Sequence, residues 1–140
     1  MNSNFNNKPQ GKILDLSIMG DDRGSLIALE KFHNVPFDIK RVYYIFDTKK
    51  EVRRGYHAHI NLKQLAICVH GSCKFLLDNG DTINHFTLNS PDKGLLIEGL
   101  IWREMYDFSS DCVLMVLADS YYDKDDYIQN YNQFKQSKFS

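Results

Sequence analysis

From Ile13 to Ala118 the chain is a succession of short strand-like runs separated by glycine, asparagine and aspartate turns, and that cadence leaves few folds open to it. Residues 13–19 carry apolar side chains at alternate positions and stop at Gly20-Asp21-Asp22, a turn sequence. Residues 25–30 follow Arg23-Gly24, and residues 40–46 are dense in β-branched and aromatic side chains. Residues 57–60, 64–70 and 74–77 come next. The last of these ends at Asp78-Asn79-Gly80-Asp81, where Asn-Gly signals a tight hairpin. Residues 82–88, 94–98, 101–106 and 112–118 complete the series. Strands this short and this evenly spaced predict an all-β barrel or sandwich. Only residues 123 to about 134 read as helical, with Asp123 or Asp125 as cap, and the acidic run 121–127 reads as a solvated surface segment.

A chain of 140 residues fits one domain with a core of its own. Residues 12–140 read as that domain and residues 1–11, polar and Asn-rich, as a flexible lead-in. The formal charge of -1 gives no bulk attraction to nucleic acid or to a membrane surface. No apolar run approaches the ~18 residues that span a bilayer, and the first ten residues lack a signal-peptide core. Three cysteines without a Cys-x-x-Cys spacing, two of them (Cys68 and Cys112) in apolar runs, read as small core residues of a reduced, cytoplasmic protein.

Chemistry concentrates at Arg54-Gly55-Tyr56-His57-Ala58-His59. Residues two apart on a strand share a face, so His57 and His59 project side by side, suited to binding a metal or to moving protons. A His-x-His before a strand in a small β-barrel resembles the first motif of the cupins, double-stranded β-helices of jelly-roll type. Metal-binding cupins carry a glutamate where this chain has Gln64 and a third histidine where it has Arg103. Arginine stays protonated and does not ligate as imidazole does, so proton transfer without a metal is the expectation.

Arg23, Arg54 and Arg103 accompany short turns or strand ends. The guanidinium fork suits phosphate, and we expect that role for Arg23 and Arg54. Arg53 reads as a surface salt bridge, and Arg41 stays open between the two. Tyr43 and Tyr44 point to opposite faces, and alternation alone leaves open which one is inside. Trp102, Glu104 and Tyr106 share one face, Arg103 and Met105 the other.

Together, Asp22-Arg23-Gly24, the run 36–46 with its Arg41-Val42-Tyr43-Tyr44-Ile45-Phe46 block, the 54–59 block, Gly71-Ser72-Cys73, Trp102-Arg103-Glu104-Met105 and the run 112–118 resemble the nucleotide-sugar 3,4-ketoisomerases of the FdtA and QdtA kind. The resemblance implies a cupin fold, no metal or other cofactor, and a homodimer that exchanges N-terminal strands. It implies a substrate, dTDP-4-keto-6-deoxyglucose, isomerised to the 3-keto sugar on the way to acetamido-dideoxy sugars of surface polysaccharides. His57 would be the base at sugar carbon 3, with His59 and Tyr43 relaying protons or steadying oxygens. Arg103 would hold water or an oxyanion, and Arg23, Arg41, Arg54 and Gln64 would bind substrate. For carbon 4 of the product, Arg23 matches the galacto-forming pattern and Arg103 the gluco-forming one. A 3,5-epimerase, a non-catalytic nucleotide-sugar binder and a metal oxygenase are the competing readings.

Overall fold

Alternation along the strands is what closes the barrel. In the computed structural model, which describes residues 11–139, the strands are β1 (Lys12–Asp15), β2 (Met19–Asp21), β3 (Gly24–Leu26), β4 (Arg41–Ile45), β5 (Arg54–His59) and β6 (Gln64–His70). They continue as β7 (Cys73–Asp78), β8 (Ile83–Leu88), β9 (Lys93–Ile97), β10 (Trp102–Tyr106), β11 (Val113–Ala118) and β12 (Tyr127–Ile128), before a helix α1 (Tyr131–Phe139). Apart from Gly11, the segment expected to be a flexible lead-in lies outside the described residues.

Two five-stranded antiparallel sheets face each other, ordered β1-β9-β6-β11-β4 and β12-β5-β10-β7-β8, in the jelly-roll arrangement of the cupins. Ala66, Cys68, Phe75, Leu77, Leu95, Ile97, Met105, Leu114 and Val116 fill the space between them. Outside the first sheet, Leu16, Val35 and Phe37 cover Leu65, Ile67 and Leu117. Residues 64–68 of β6 are therefore buried on both faces, which is why that strand reads as an unbroken apolar run. Outside the second sheet, Phe134 of α1 packs on Trp102, Ala58 and Ile128. Each fully buried Leu or Phe of these layers contributes ~1.5–3 kcal/mol.

Three local expectations are corrected. The strand predicted over 13–19 stops at Asp15, because the Leu16 N–H turns to the Asp92 carbonyl (2.8 Å) and its side chain dives into the outer layer. The chain then forms the β2–β3 hairpin, a two-stranded sheet of its own. The strand predicted over 25–30 ends at Leu26: Asn34 donates to the Ala28 carbonyl (2.7 Å) and accepts from the Glu30 N–H (2.8 Å), folding the segment into a turn. The predicted tail helix is divided. Asp123 caps a single 3₁₀ turn (Lys124–Asp126), β12 follows, and α1 starts only after Asn130, whose side chain accepts from the Gln133 N–H at 2.9 Å.

Candidate active site

The histidine pair is aimed by a backbone irregularity. β10 pairs with β5 as Trp102 opposite Ala58 and Arg103 opposite His57, and then Glu104 meets Gly55, leaving Tyr56 as the extra residue of a bulge. Gly55 sits at φ +94°, and a β-carbon there would come within 2.8 Å of the Arg103 carbonyl oxygen. Only glycine fits both demands. Tyr56 itself takes φ +57° with its ring exposed. The kink sets His57 and His59 beside each other with ring centroids 4.8 Å apart and planes nearly perpendicular.

Around them the barrel gathers a polar cluster. Arg103, only 2% exposed, donates to Gln64 Oε1 (2.5 Å) and to the Ile101 carbonyl (3.0 Å). Gln64 Nε2 in turn donates to the Tyr43 hydroxyl at 3.2 Å. Tyr43 is the inward tyrosine of β4, beside Arg41, whose guanidinium lies 5.5 Å from its ring centre, while Tyr44 is exposed. Tyr127 closes the cluster, its ring 4.3 Å from His59 and 4.9 Å from His57. Behind His59, Asp126 Oδ2 lies 2.9 Å from Nδ1, and Asp126 Oδ1 accepts from the N–H groups of Ile60 (3.1 Å) and Asn61 (2.8 Å).

Both imidazoles are held neutral. Burial pushes His57 down to about 4, the nearby Arg103 charge pushes the same way, and a hydrogen bond with the Gly55 backbone only partly opposes them. His59 lies further below its ordinary value, by burial first and then by the positive fields of Arg103, His57 and Arg41. Asp126 attracts a proton to that ring, but the carboxylate is one charge against a desolvated site with two arginines. A neutral His59 donates Nδ1–H to Asp126 and turns the lone pair of Nε2 toward the cluster. Burial lowers Arg103 to about 10, so it remains a cation at neutral pH, and burial raises the Tyr43 phenol.

Among the described residues, the buried side-chain nitrogens and oxygens without a hydrogen-bond partner are Arg41 Nε, His59 Nε2 and Arg103 Nε, and all three belong to this cluster. An unpaired buried polar atom costs ~1–3 kcal/mol. Three in one cluster leave it with hydrogen-bonding capacity that the protein itself does not use.

Of the eight site residues expected from sequence, His57, His59, Tyr43, Arg103, Arg41 and Gln64 meet here. Arg54 stands exposed outside the cluster, lining a separate depression with Ile45, Asp47, Thr48 and Phe108. Arg23 is set apart at the tip of the β2–β3 hairpin, its side chain 89% exposed and paired with Asp21. Arg53 pairs with Glu104 (2.6 Å) and covers the Tyr106 ring, the surface role expected of it. For a metal the donor set is poor: the Gln64 oxygen is already committed to Arg103, whose charge opposes a cation. Asp126 and Tyr127 were missed, and the reading of 121–127 as wholly solvated is corrected for them. Tyr121 and Tyr122 are indeed exposed, but the two-residue strand β12 docks on β5, opposite His59 and Ala58, and carries its neighbour Asp126 inward. A strand of two residues leaves no alternation to detect.

Fold and site thus define a cupin that sets a histidine pair beside a fixed, buried arginine. The FdtA family model (WxcM-like, C-terminal) matches residues 9–139, and the chain belongs to that family. A TDP-4-oxo-6-deoxy-α-D-glucose-3,4-oxoisomerase from Aneurinibacillus thermoaerophilus is 53% identical over 126 residues, covering 90% of this chain and 91% of its own. The TDP-quinovose 3,4-ketoisomerase WlaRB of Campylobacter jejuni is 51% identical, with a TM-score of 0.87 over 90% of this chain and 97% of its own. A histidine-to-asparagine variant of the 3,4-ketoisomerase QdtA from Thermoanaerobacterium thermosaccharolyticum, solved with TDP-4-keto-6-deoxyglucose, is 43% identical, with a TM-score of 0.89 over 91% of this chain and 93% of its own. An epimerase from Mycobacterium tuberculosis shares only the fold, at 15% identity.

Proposed function

We propose that the protein is a sugar 3,4-ketoisomerase that moves the carbonyl of TDP-linked 4-keto-6-deoxyglucose from carbon 4 to carbon 3, with no metal or other cofactor. The observation that carries this reading is the cluster itself: two neutral imidazoles beside the buried Arg103 cation, with unpartnered nitrogens on His59, Arg41 and Arg103. The activities named for relatives above 40% identity support it.

The reaction requires three proton movements. His57 takes the proton from carbon 3, which the neighbouring carbonyl acidifies, and the electron pair shifts to leave an enediolate with its charge on oxygen 4. His59, with its free Nε2, takes the proton of the carbon-3 hydroxyl and passes it to oxygen 4, so that charge moves to oxygen 3. A proton drawn from solvent then reaches carbon 4 as the carbonyl forms at carbon 3, and His57 releases to solvent the proton it took. A positioned acid or base contributes ~10²–10⁴ per transfer. Arg103 stabilises the enediolate oxygens without losing its own proton, as a preorganised donor does. Tyr43 is fixed through Gln64 to the same arginine and steadies the oxygens. Asp126 is a positioning residue, holding the His59 tautomer. Arg41 and Arg54 bind the diphosphate.

In this reading residues 12–140 act as one domain within a homodimer. The β2–β3 hairpin pairs only with itself among the described residues and leaves Ile18, Met19 and Leu26 more than half exposed. A groove lined by Leu26, Ile27, Leu29, Ile67, Val69 and Met115 lies on the outer face of the first sheet. Exchange of N-terminal segments across this face would carry Arg23 to the neighbouring subunit's site, where its phosphate role becomes possible. Among the described residues no helix is long and apolar enough to cross a membrane.

Incubation with TDP-4-keto-6-deoxyglucose in deuterated water, followed by proton NMR, tests the activity. A 3-keto product with deuterium at carbon 4 is expected, and the coupling constants there distinguish galacto from gluco. Exchange at carbons 3 and 5 without carbonyl migration would instead identify an epimerase.

A further inference from the structure

All three cysteines of the chain meet at one point, away from the histidine cluster. Cys68 lies on β6, Cys73 opens β7 and Cys112 immediately precedes β11, yet their Sγ atoms are all within 4.8 Å of one another. Cys68 and Cys112 are 3.6 Å apart, and all three side chains are at most 1% exposed and free of disulfides. Cys68 stands four residues along β6 from Gln64, ~13 Å at the rise of a strand. The thiols therefore take no part in the isomerase chemistry.

A cation with ~2.3 Å bonds to sulfur spaces its ligands ~3.8 Å apart at tetrahedral angles. The three sulfurs already approximate that triangle. The His70 carbonyl oxygen, which accepts from Cys68 Sγ at 3.1 Å, stands beside them as a fourth donor once the thiol proton leaves. Two turns beside the cluster are pinned to each other by Ser109 N–H donating to the Ser72 carbonyl (2.9 Å) and Ser72 N–H to Ser109 Oγ (2.9 Å), and the second is closed by Cys112 N–H donating to the Ser109 carbonyl (3.1 Å). Gly71 at φ +71° lets the turns touch, since a β-carbon there would lie 2.8 Å from Cys112 Cα.

We propose that Cys68, Cys73 and Cys112 form a structural site for one thiophilic divalent cation, with zinc the suited ion. Sulfur donors select soft or borderline ions, and a divalent ion leaves less net charge among apolar neighbours than a monovalent one. Binding exchanges three S–H bonds for three metal–sulfur bonds, releases three protons to solvent and alters no oxidation state. The ion ties β6, β7 and the entry to β11 together at the end of the barrel remote from the site.

The test uses the full chain, reduced and stripped of metal, unfolded in denaturant and refolded with cadmium so that burial does not block entry. A sulfur-to-cadmium charge-transfer band saturating at one ion per chain is expected, as is displacement of cadmium by zinc and a raised thermal midpoint. Cys73→Ala and Cys112→Ser should each lose the band while keeping isomerase turnover. Should either variant fail to fold, the wild-type protein decides: in urea that opens the fold partially, zinc must slow alkylation of all three cysteines together relative to the metal-free protein. No band, a band that survives in either variant, or a Cys68–Cys112 disulfide in the protein as purified would overturn the proposal.

Discussion

Replacing Asp126 with asparagine tests the proposed proton relay through a single atom. Asp126 Oδ1 accepts two backbone N–H bonds, from Ile60 and Asn61, while Oδ2 accepts from His59 Nδ1. In Asp126→Asn the side-chain carbonyl must keep the two backbone donors, so the amide nitrogen turns to His59. That nitrogen donates, and His59 must answer with a lone pair at Nδ1. Its proton then moves to Nε2, the atom that faces the cluster, and the base there is lost. Loss of one positioned acid–base group removes ~10²–10⁴ of rate, about 3–5 kcal/mol in the barrier at 1.36 kcal/mol per decade. Fold stability should fall only by about 1–2 kcal/mol, the difference between a charge-assisted and a neutral hydrogen bond. TDP binding, measured by calorimetry, should stay within about twofold, because Asp126 faces the imidazole and not the diphosphate. Turnover is read by proton NMR, and the His59 tautomer by nitrogen-15 shifts in the substrate-free protein. Turnover within about threefold of wild type, or an unchanged tautomer, would refute the reasoning, and the tautomer reading holds whatever the substrate proves to be.

Further outcomes follow from the same geometry. His57→Asn should abolish carbonyl migration and leave TDP binding intact; measurable turnover would return the base to another residue. Because folded His57 titrates near 4 and an unfolded histidine near 6.5, the unfolded state binds the extra proton between those values. Stability is therefore fully present above about pH 6.5 and falls toward pH 4, by up to ~1.4 kcal/mol per pH unit for each depressed imidazole. Urea unfolding across that window should show the slope, and His57→Asn should reduce it. Gly55→Ala should lose ~1–3 kcal/mol in urea unfolding and most of the turnover, since the bulge that aims both histidines tolerates no β-carbon.

Where the burial of a strand is written in its own residues, as alternation or as an unbroken apolar run, the sequence was readable. Residues 64–70 emerge as β6 without change, because an apolar run bounded by Gly71 has one low-energy use in a barrel. Arg41 and Tyr43 share the inward face of β4 by the same alternation, though only the packed structure says which face is inside. His57, His59, Gln64 and Arg103 could be named because local motifs carry them. What was illegible is contact between distant segments. Asp126 reaches His59 across 67 positions, through a docking of β12 that no local pattern announces. The isolated β2–β3 hairpin escaped notice for a related reason: its exposed apolar residues look like a core strand until the rest of the barrel leaves them unpaired.

The placement of Arg103 bears on how the proposed reaction runs at neutral pH with two histidines. A buried guanidinium is costly, and here one nitrogen of the fork remains unpaired even after Gln64 and Ile101 have accepted from it. Its field, added to desolvation, keeps both imidazoles deprotonated and hence able to accept a proton from carbon or oxygen. In the proposed reaction the same field also stabilises the enediolate, because the anion forms beside side chains buried in a low-dielectric interior. Imidazole at position 103 would separate these effects, titrating where guanidinium does not. In Arg103→His, residual turnover should therefore acquire a new dependence on pH near the ordinary histidine value, while the wild-type profile stays flat there. A flat profile in the variant would mean that the charge at this position does not act on the proton transfers at all.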